Sequence, residues 1–300
     1  MVLTARSGET RTGLPVAHNA PAPPHQAGVI GRYYITAIDQ PEDRVTEDIL
    51  LNETAMMRVL VRGEWEWFKP NRGWIAAEGP MLCGAQRRGL RVRCRGPMAV
   101  AGFAIRPGGW PLLMDDPHTK IADQIVRVPG AWGDMLVAAC TQVDDHAATI
   151  GALTAAVEAR LAPGTAPDPL IQRFEEIARA EPTRSVAGIA KELGLTPRRL
   201  DTLVRTHFGH LPKTILRRSR FLDMAAVMRG LALPDEETLA AMRFYDSSHR
   251  NLEFKLFVNM APATFQRTPT PLLTAGLEVR QQRKLADAGG DAIAPWLAPA

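Results

Sequence analysis

A punctuation pattern that recurs fifty residues later does most to limit what this chain can become. Thr196-Pro197 is a helix start, with an N-capping hydroxyl followed by proline at the first helical position. Gly209 offers the left-handed residue that ends a helix, and Pro212 opens the next. Laid over Asp246 to Pro262, the segment puts Phe208 on Val258, Gly209 on Asn259 and Pro212 on Pro262, with Ile215 on Phe265 beyond. Asparagine is among the few residues that share glycine's left-handed conformation. A unit repeated at a fixed offset signals a repeated structure.

Just before the first copy, Ser185 is placed to cap a helix whose Val186, Ile189, Ala190 and Leu193 face inward, and Gly194 ends it. Helix, tight turn and second helix make a helix-turn-helix. In the helix after Thr196, Leu200, Leu203, Val204 and Phe208 form an inner stripe, while Arg198, Asp201, Thr202 and Arg205 share the outer face. In such units the second helix enters the major groove. Arg198 suits guanine, Asp201 the amino group of cytosine and Thr202 a thymine methyl, whereas Arg205, deeper along the helix, suits phosphate. A surface helix of an ordinary bundle could show the same face, so the charge distribution matters. From Arg184 to Arg229 there are 10 Lys and Arg against 3 Asp and Glu; from Gln26 to Arg160 there are 15 against 16. A local basic excess is what phosphate contact requires. For Arg217, Arg218 and Arg220, phosphate contact and plain solvation are evenly matched readings.

Other helices are expected from Pro169, carrying Leu170, Ile171, Phe174, Ile177 and Ala178; from Pro212 to about Met228; after Leu233-Pro234-Asp235-Glu236; and after a cap at Ser247 or Ser248. Ser185 to Leu200 (SVAGIAKELGLTPRRL) resembles the first unit of AraC-type DNA-binding domains. Arg243 to His249 (RFYDSSH), continuing through Phe254 to Pro262 (FKLFVNMAP), resembles the second-unit signature. The resemblance covers about a hundred residues. It implies that Arg198, Asp201 and Thr202 read bases in the first unit, and that Ser247, Ser248, His249 and Leu252 occupy the matching face of the second. Phe103 to Gly109, with Ile121 to Val126 and Trp132-Gly133, resembles the sensor half of some members less specifically. The second unit departs from the pattern: Arg243 and Asn259 stand where glycine is common, and Leu252 where a basic residue usually faces DNA. Arg250, which the repeat places on Leu200, stands at a usually buried apolar position. There it must reach solvent along its stem or find a partner.

The first 160 residues have another texture. Tyr33–Ile38, Ala55–Arg62, Trp65–Phe68, Gly89–Cys94 and Met98–Ile105 read as short strands punctuated by Gly and Pro. Strands in succession without helices between them suggest a sandwich or small barrel. Trp132 to Leu161 then carries helix-spaced apolar residues, and Ala162 to Pro169 reads as a linker. Trp65 and Trp67 share a strand face, better read as core than as a ligand pocket. Arg91, Arg93 and Arg95 share another, better read as solvated than as an anion grip. His25, His118 and His146 are isolated, and Cys83, Cys94 and Cys140 lack metal spacing and read as reduced thiols. No nucleophile elbow, phosphate loop or zinc signature occurs. No run is long enough for a membrane span, and the Ala/Pro-rich start has no secretory pattern.

The expected architecture is α+β. It comprises a disordered leader over 1–25, a β-rich sensor or oligomerisation domain over 26–160, a linker over 161–168, an all-helical domain with two helix-turn-helix units over 169–270, and an extension over 271–300. The expected function is a cytoplasmic, sequence-specific transcriptional regulator without catalysis, metal or cofactor, whose partner is double-stranded DNA. A small-molecule effector, RNA polymerase and a second copy of the chain are the further partners this reading admits, and the sensor's ligand residues are unknown. The alternatives are a protein-interaction module with degenerate units, supported by Arg250 and Leu252, and an enzyme with its site in the β-rich domain.

Overall fold

The computed structural model describes residues 15–162, 164, 166–232 and 247–287. Its N-terminal part is one antiparallel sheet of eight strands: β1 (Val16–Ala20), β2 (Ile30–Ile38), β3 (Val45–Leu50), β4 (Met56–Lys69), β5 (Gly73–Ala76), β6 (Pro80–Cys83), β7 (Leu90–Ile105) and β8 (Ile125–Arg127). The order is β1-β2-β7-β4-β6-β8, with β3 on β7 and β5 on β4. Four of the expected runs merge into two long strands. Ala55–Arg62 and Trp65–Phe68 become β4; Gly89–Cys94 and Met98–Ile105 become β7. The cause lies at the joins. Register shifts between Leu60 and Glu64, Gly63 has φ 83°, and a side chain there would come within 2.1 Å of the Pro97 carbonyl oxygen. A bend in β4 therefore nests on the Gly96-Pro97 bend of β7, and pairing continues past both.

Alternation along the strands feeds two cores. Tyr33, Ile35, Met57, Val59, Ala101 and Phe103 face the helices α2 (Gly130–Ala139) and α3 (His146–Glu158), meeting Leu136, Leu153 and Val157; the short α1 (Trp110–Leu113) joins them. Tyr34, Trp65, Val92, Cys94, Met98 and Val100 form the other core. The leader expectation needs correction from residue 16. Val16–Ala20 is β1, paired residue for residue with Ala37–Tyr33, and Ala17 and Asn19 are buried. Its side chains are too small and polar to announce a strand. Residues 1–14 lie outside the described residues.

The C-terminal part is helical: α4 (Pro169–Ala180), α5 (Val186–Glu192), α6 (Pro197–Phe208), α7 (Pro212–Met228), α8 (Ser247–Val258), α9 (Pro262–Arg267) and α10 (Pro271–Asp287). Asp168 caps α4 by accepting from Leu170 N at 2.8 Å, and Pro167 packs against Gly28 and Gly108 of the sheet part. The expected helix start at Leu233–Glu236, Arg243 and the tail over 288–300 fall outside the described residues. α7 spans two cores. Its Ile215 and Leu216 pack with Phe174, Ile189, Leu200, Val204 and Phe208. Its Phe221, Leu222 and Ala225 pack with Phe254, Phe257, Val258, Phe265 and Leu277, where Ile49 and Leu51 from the sheet part join them. Each large apolar side chain so buried contributes about 1.5–3 kcal/mol.

Candidate nucleic-acid interface

The first unit is built by local capping. The Ser185 hydroxyl accepts from Gly188 N at 3.0 Å, and that of Thr196 from Arg199 N at 3.2 Å. Between them Gly194, at φ 67°, turns the chain, and Leu195 N closes the turn on the Ala190 carbonyl at 2.8 Å. Gly209, at φ 78°, ends α6 with its N–H on Arg205 O. Leu200, Val204 and Phe208 are buried; Arg198, Thr202 and Arg205 are exposed and Asp201 is half-buried on the opposite side. The Thr202 hydroxyl donates to Arg198 O at 3.1 Å, so its methyl and remaining lone pair are what it can offer outward. Among the described residues Arg198, Arg199 and Arg205 have no ion pair, whereas Arg173 and Arg184 both close on Glu192 away from this face. The guanidinium groups of α6 are available to an outside anion.

The second unit repeats the frame. Asn259 takes φ 54° where Gly209 takes 78°, and its N–H bonds Lys255 O as that of Gly209 bonds Arg205 O. Phe254, Phe257, Val258 and Phe265 are buried where Val204, His207, Phe208 and Ile215 are buried in the first copy. Ser247, Ser248 and His249 form the first turn of α8; their side chains and the cap before them lie outside the described residues. Leu252 is 62% exposed. Arg250 does not occupy the buried slot of Leu200: it is exposed. The inner row of α8 begins one turn later, at Glu253, because burying a lone guanidinium would cost several kcal/mol. The exposed face holds two residues that sequence reading missed, Asn251 and Lys255. The fifty-residue offset, applied to Asp201 and Arg205 themselves, points straight to them.

Of the three α7 arginines, two have partners within the fold. Arg217 pairs with the buried Glu253 at 2.6 Å, and Arg220 is half-buried. Arg218 is 1% exposed and donates to the backbone oxygens of Gln86, at 2.7 Å, and Glu53, both in the sheet part. Burial pulls its pKa down to about 10, so it keeps its charge at neutral pH.

Arg218 belongs to a junction between sheet and helices. His118 donates through Nδ1 to His207 O at 3.0 Å, at the end of α6, and accepts from Ala85 N through Nε2 at 3.2 Å. Its ring stacks on Trp110 at 4.1 Å. Burial, with the neighbouring positive groups, brings its pKa down to about 4, so the ring is neutral. His210 reaches Asp123, which also holds Arg87. On the far side, Asp48 of β3 accepts from Leu272 N at 2.5 Å, and Arg280 of α10 bonds Asp223 at 2.9 Å and Glu53 at 3.1 Å. Burial pushes Asp48 up to about 7 against the pull of its N–H donors. Between these ties lies a cavity of about 190 Å³ lined by parts of both halves. Seven arginines line it against two glutamates, beside apolar groups of β2 and α10. Among the described residues, the buried Nε atoms of Arg32, Arg58, Arg218 and Arg280 have no hydrogen-bond partner.

The first-domain candidates resolve into structure. Trp65 is buried beside the half-buried Trp67, centroids 5.9 Å apart, as core. Arg91, Arg93 and Arg95 pair across strands with Glu47, Glu66 and Glu64. His25 meets Glu158, and the rings of His146 and His18 lie 4.6 Å apart, tilted by 34°. The three cysteines are buried free thiols. Among the described residues no helix is long and apolar enough to cross a membrane.

No family model matches the chain, and no curated protein matches it. Solved structures that it is similar to include ToxT from Vibrio cholerae with an unsaturated fatty acid bound (12% identity over 78% of this chain and 94% of that one, TM-score 0.43). Another is Vibrio cholerae ToxT bound to (E)-4-(8-methylnaphthalen-1-yl)but-3-enoic acid (14% identity, 81% and 99% covered, TM-score 0.43). The AraC-like transcriptional activator CuxR aligns at 15% identity over 70% of this chain and 86% of its own, with a TM-score of 0.29.

Proposed function

We propose that the protein is a sequence-specific DNA-binding transcriptional regulator that reads duplex DNA with α6 and α8. The observation that carries this is the repeated frame. Two helices, each closed by a left-handed residue and each buried on one side, present Arg198, Asp201, Thr202 and Arg205 on one unit. Leu252 stands on the other, in the helix that opens with Ser247, Ser248 and His249. α7, about 25 Å long, spans the cores behind both, a scale that suits major-groove segments one helical turn apart. Phosphate contacts would set register while side chains on the early turns read base edges. Arg250, exposed, removes one packing argument for a degenerate second unit.

The sheet part is proposed as a sensor that acts through the junction. An effector shifts the regulator only if it binds the DNA-competent arrangement with a different affinity from the idle one. The cavity suits a small anion with an apolar body, because seven arginines line it against two glutamates, beside apolar groups of β2 and α10. Selection of bound duplexes from a random pool, with full-length protein at near-physiological salt, tests the reading. Recovery of two elements about one helical turn apart supports both units as readers. Failure to enrich any sequence, with and without fatty acids as probe anions, rejects it.

A further inference from the structure

The two outer faces carry different chemistry at equivalent positions. In α6 they are Asp201, Thr202 and Arg205; fifty residues on they are Asn251, Leu252 and Lys255. All three of the latter are exposed, whereas Phe254, Phe257 and Val258 are at most 1% exposed. Spacings of three and four residues put Lys255 on the same face as Leu252 and Asn251. Phe221 fixes this face from behind, its ring 5.0 Å from that of Phe254 and 4.7 Å from that of Phe257. Single exposed leucines are common and by themselves mean nothing. Leu252 differs in three ways. Among the described residues it is the most exposed large apolar side chain, at 62% against 44% for Val137. Its flanking exposed residues are the polar Arg250, Asn251 and Lys255. It also stands in the slot that Thr202 holds in α6, next to an asparagine whose side chain has no hydrogen bond among the described residues.

Resting on the regulator reading, we propose that the second unit reads an A·T step, with Asn251 on adenine and Leu252 against a thymine methyl. The chemistry selects these bases. An amide offers a carbonyl to adenine N6–H and an N–H to adenine N7, whereas guanine would set its O6 against the amide oxygen. An apolar side chain in the major groove finds its match in the C5-methyl of thymine, which cytosine, guanine and adenine lack. Lys255, one turn deeper, holds a phosphate as Arg205 does in the first unit. Arg198 and Asp201 suit a G·C pair, so the operator has two chemically unlike elements, one G·C-directed and one A·T-directed.

The test uses full-length protein on its selected duplex. Thymines are replaced one at a time by uracil, which lacks only the methyl, and adenines by 7-deazaadenine, which lacks N7. In one element, one uracil should weaken binding of the unmodified protein about fourfold and leave Leu252→Ala unaffected. One deaza-adenine in that element should weaken it about tenfold and leave Asn251→Ala unaffected. Specific binding that ignores every methyl and every N7, or whose sensitivity survives both substitutions, overturns the A·T assignment and leaves the regulator reading standing. Binding that does not distinguish the selected duplex from a random one overturns both.

Discussion

Behind α6 the buried packing comes from helices alone: Ile171, Phe174 and Ile177 of α4, Ile189 of α5, and Ile215 and Leu216 of α7. Behind α8 the sheet part takes a share, because Ile49 and Leu51 lie in one core with Phe221, Phe257 and Leu273. The first unit touches the sheet through polar edges, His207 on His118 and Pro107 O. The second is set into it: a side chain at Gly89 would come within 2.1 Å of the Phe257 carbonyl oxygen. Similar helical frames can thus be held against the sheet part by different means, the first through polar and backbone contacts and the second through a shared apolar core. Rearrangement of the sheet part should reach the second unit through that apolar dependence and the first through the His118 joint.

The largest expected effect tests that dependence directly. Phe257→Ala should cost about 3–5 kcal/mol. The loss should appear equally in helical circular dichroism and in the fluorescence of Trp65, Trp67, Trp74, Trp110 and Trp132, which all precede the helical part. Leu200→Ala, costing about 2–5 kcal/mol, should shift the helical signal ahead of the fluorescence. Identical behaviour of the two variants in denaturant unfolding would abolish the contrast.

The polar joint of the first unit should respond to acid. Folded, His118 stays neutral down to about 4; unfolded, it takes a proton at its ordinary 6.5. Between those values only the unfolded chain gains the proton, so stability falls as pH drops from 6.5 to 4, by about 3 kcal/mol in all. His118→Gln should flatten that slope in unfolding measured against pH. Asp48, at the joint beside the second unit, works in the opposite sense. Its carboxyl is raised from 3.8 to about 7, so the folded chain holds a proton that the unfolded one has lost, and stability falls as pH rises through that window. Asp48→Asn should remove this opposing slope, and the same change of slope in both variants would contradict the assignment.

A smaller effect is expected on recognition. Arg198→Ala should relax base preference in one element only, at a cost of about 1–3 kcal/mol. An equal loss on all sequences would make Arg198 a phosphate contact. Smallest of all, Arg250→Leu should change the unfolding free energy by less than about 0.5 kcal/mol, since Arg250 is exposed. A clear rise in stability would put it back into the core slot of Leu200.

The first unit is legible in sequence because its signals are local. Ser185, Thr196, Gly194 and Gly209 each act on backbone within a few residues. What escapes sequence reading is set by distant partners. Arg218 reads as a surface charge until the carbonyl oxygen of Gln86, 132 positions away, turns it inward. β1 is invisible because a strand of Val, Ala, His and Asn is recognisable only by its pairing with β2. The merging of the strand runs depends on Gly63 meeting Pro97, a contact between bends that neither segment announces. Asn251 is legible only through the repeat, as the residue fifty positions after Asp201, because the signature residues Ser247 to His249 lie one turn earlier.

Ile49 and Leu51 also bear on how such a protein can be taken apart. Two-part proteins invite cut-and-paste engineering, in which one part is grafted onto a foreign partner. Here the graft boundary does not follow the linker before Asp168. A helical fragment beginning there would leave Phe257 and Leu273 without Ile49 and Leu51, and α10 without the Asp48 carboxylate at its start. A portable version would have to carry β3 along or refill that seam with new apolar side chains.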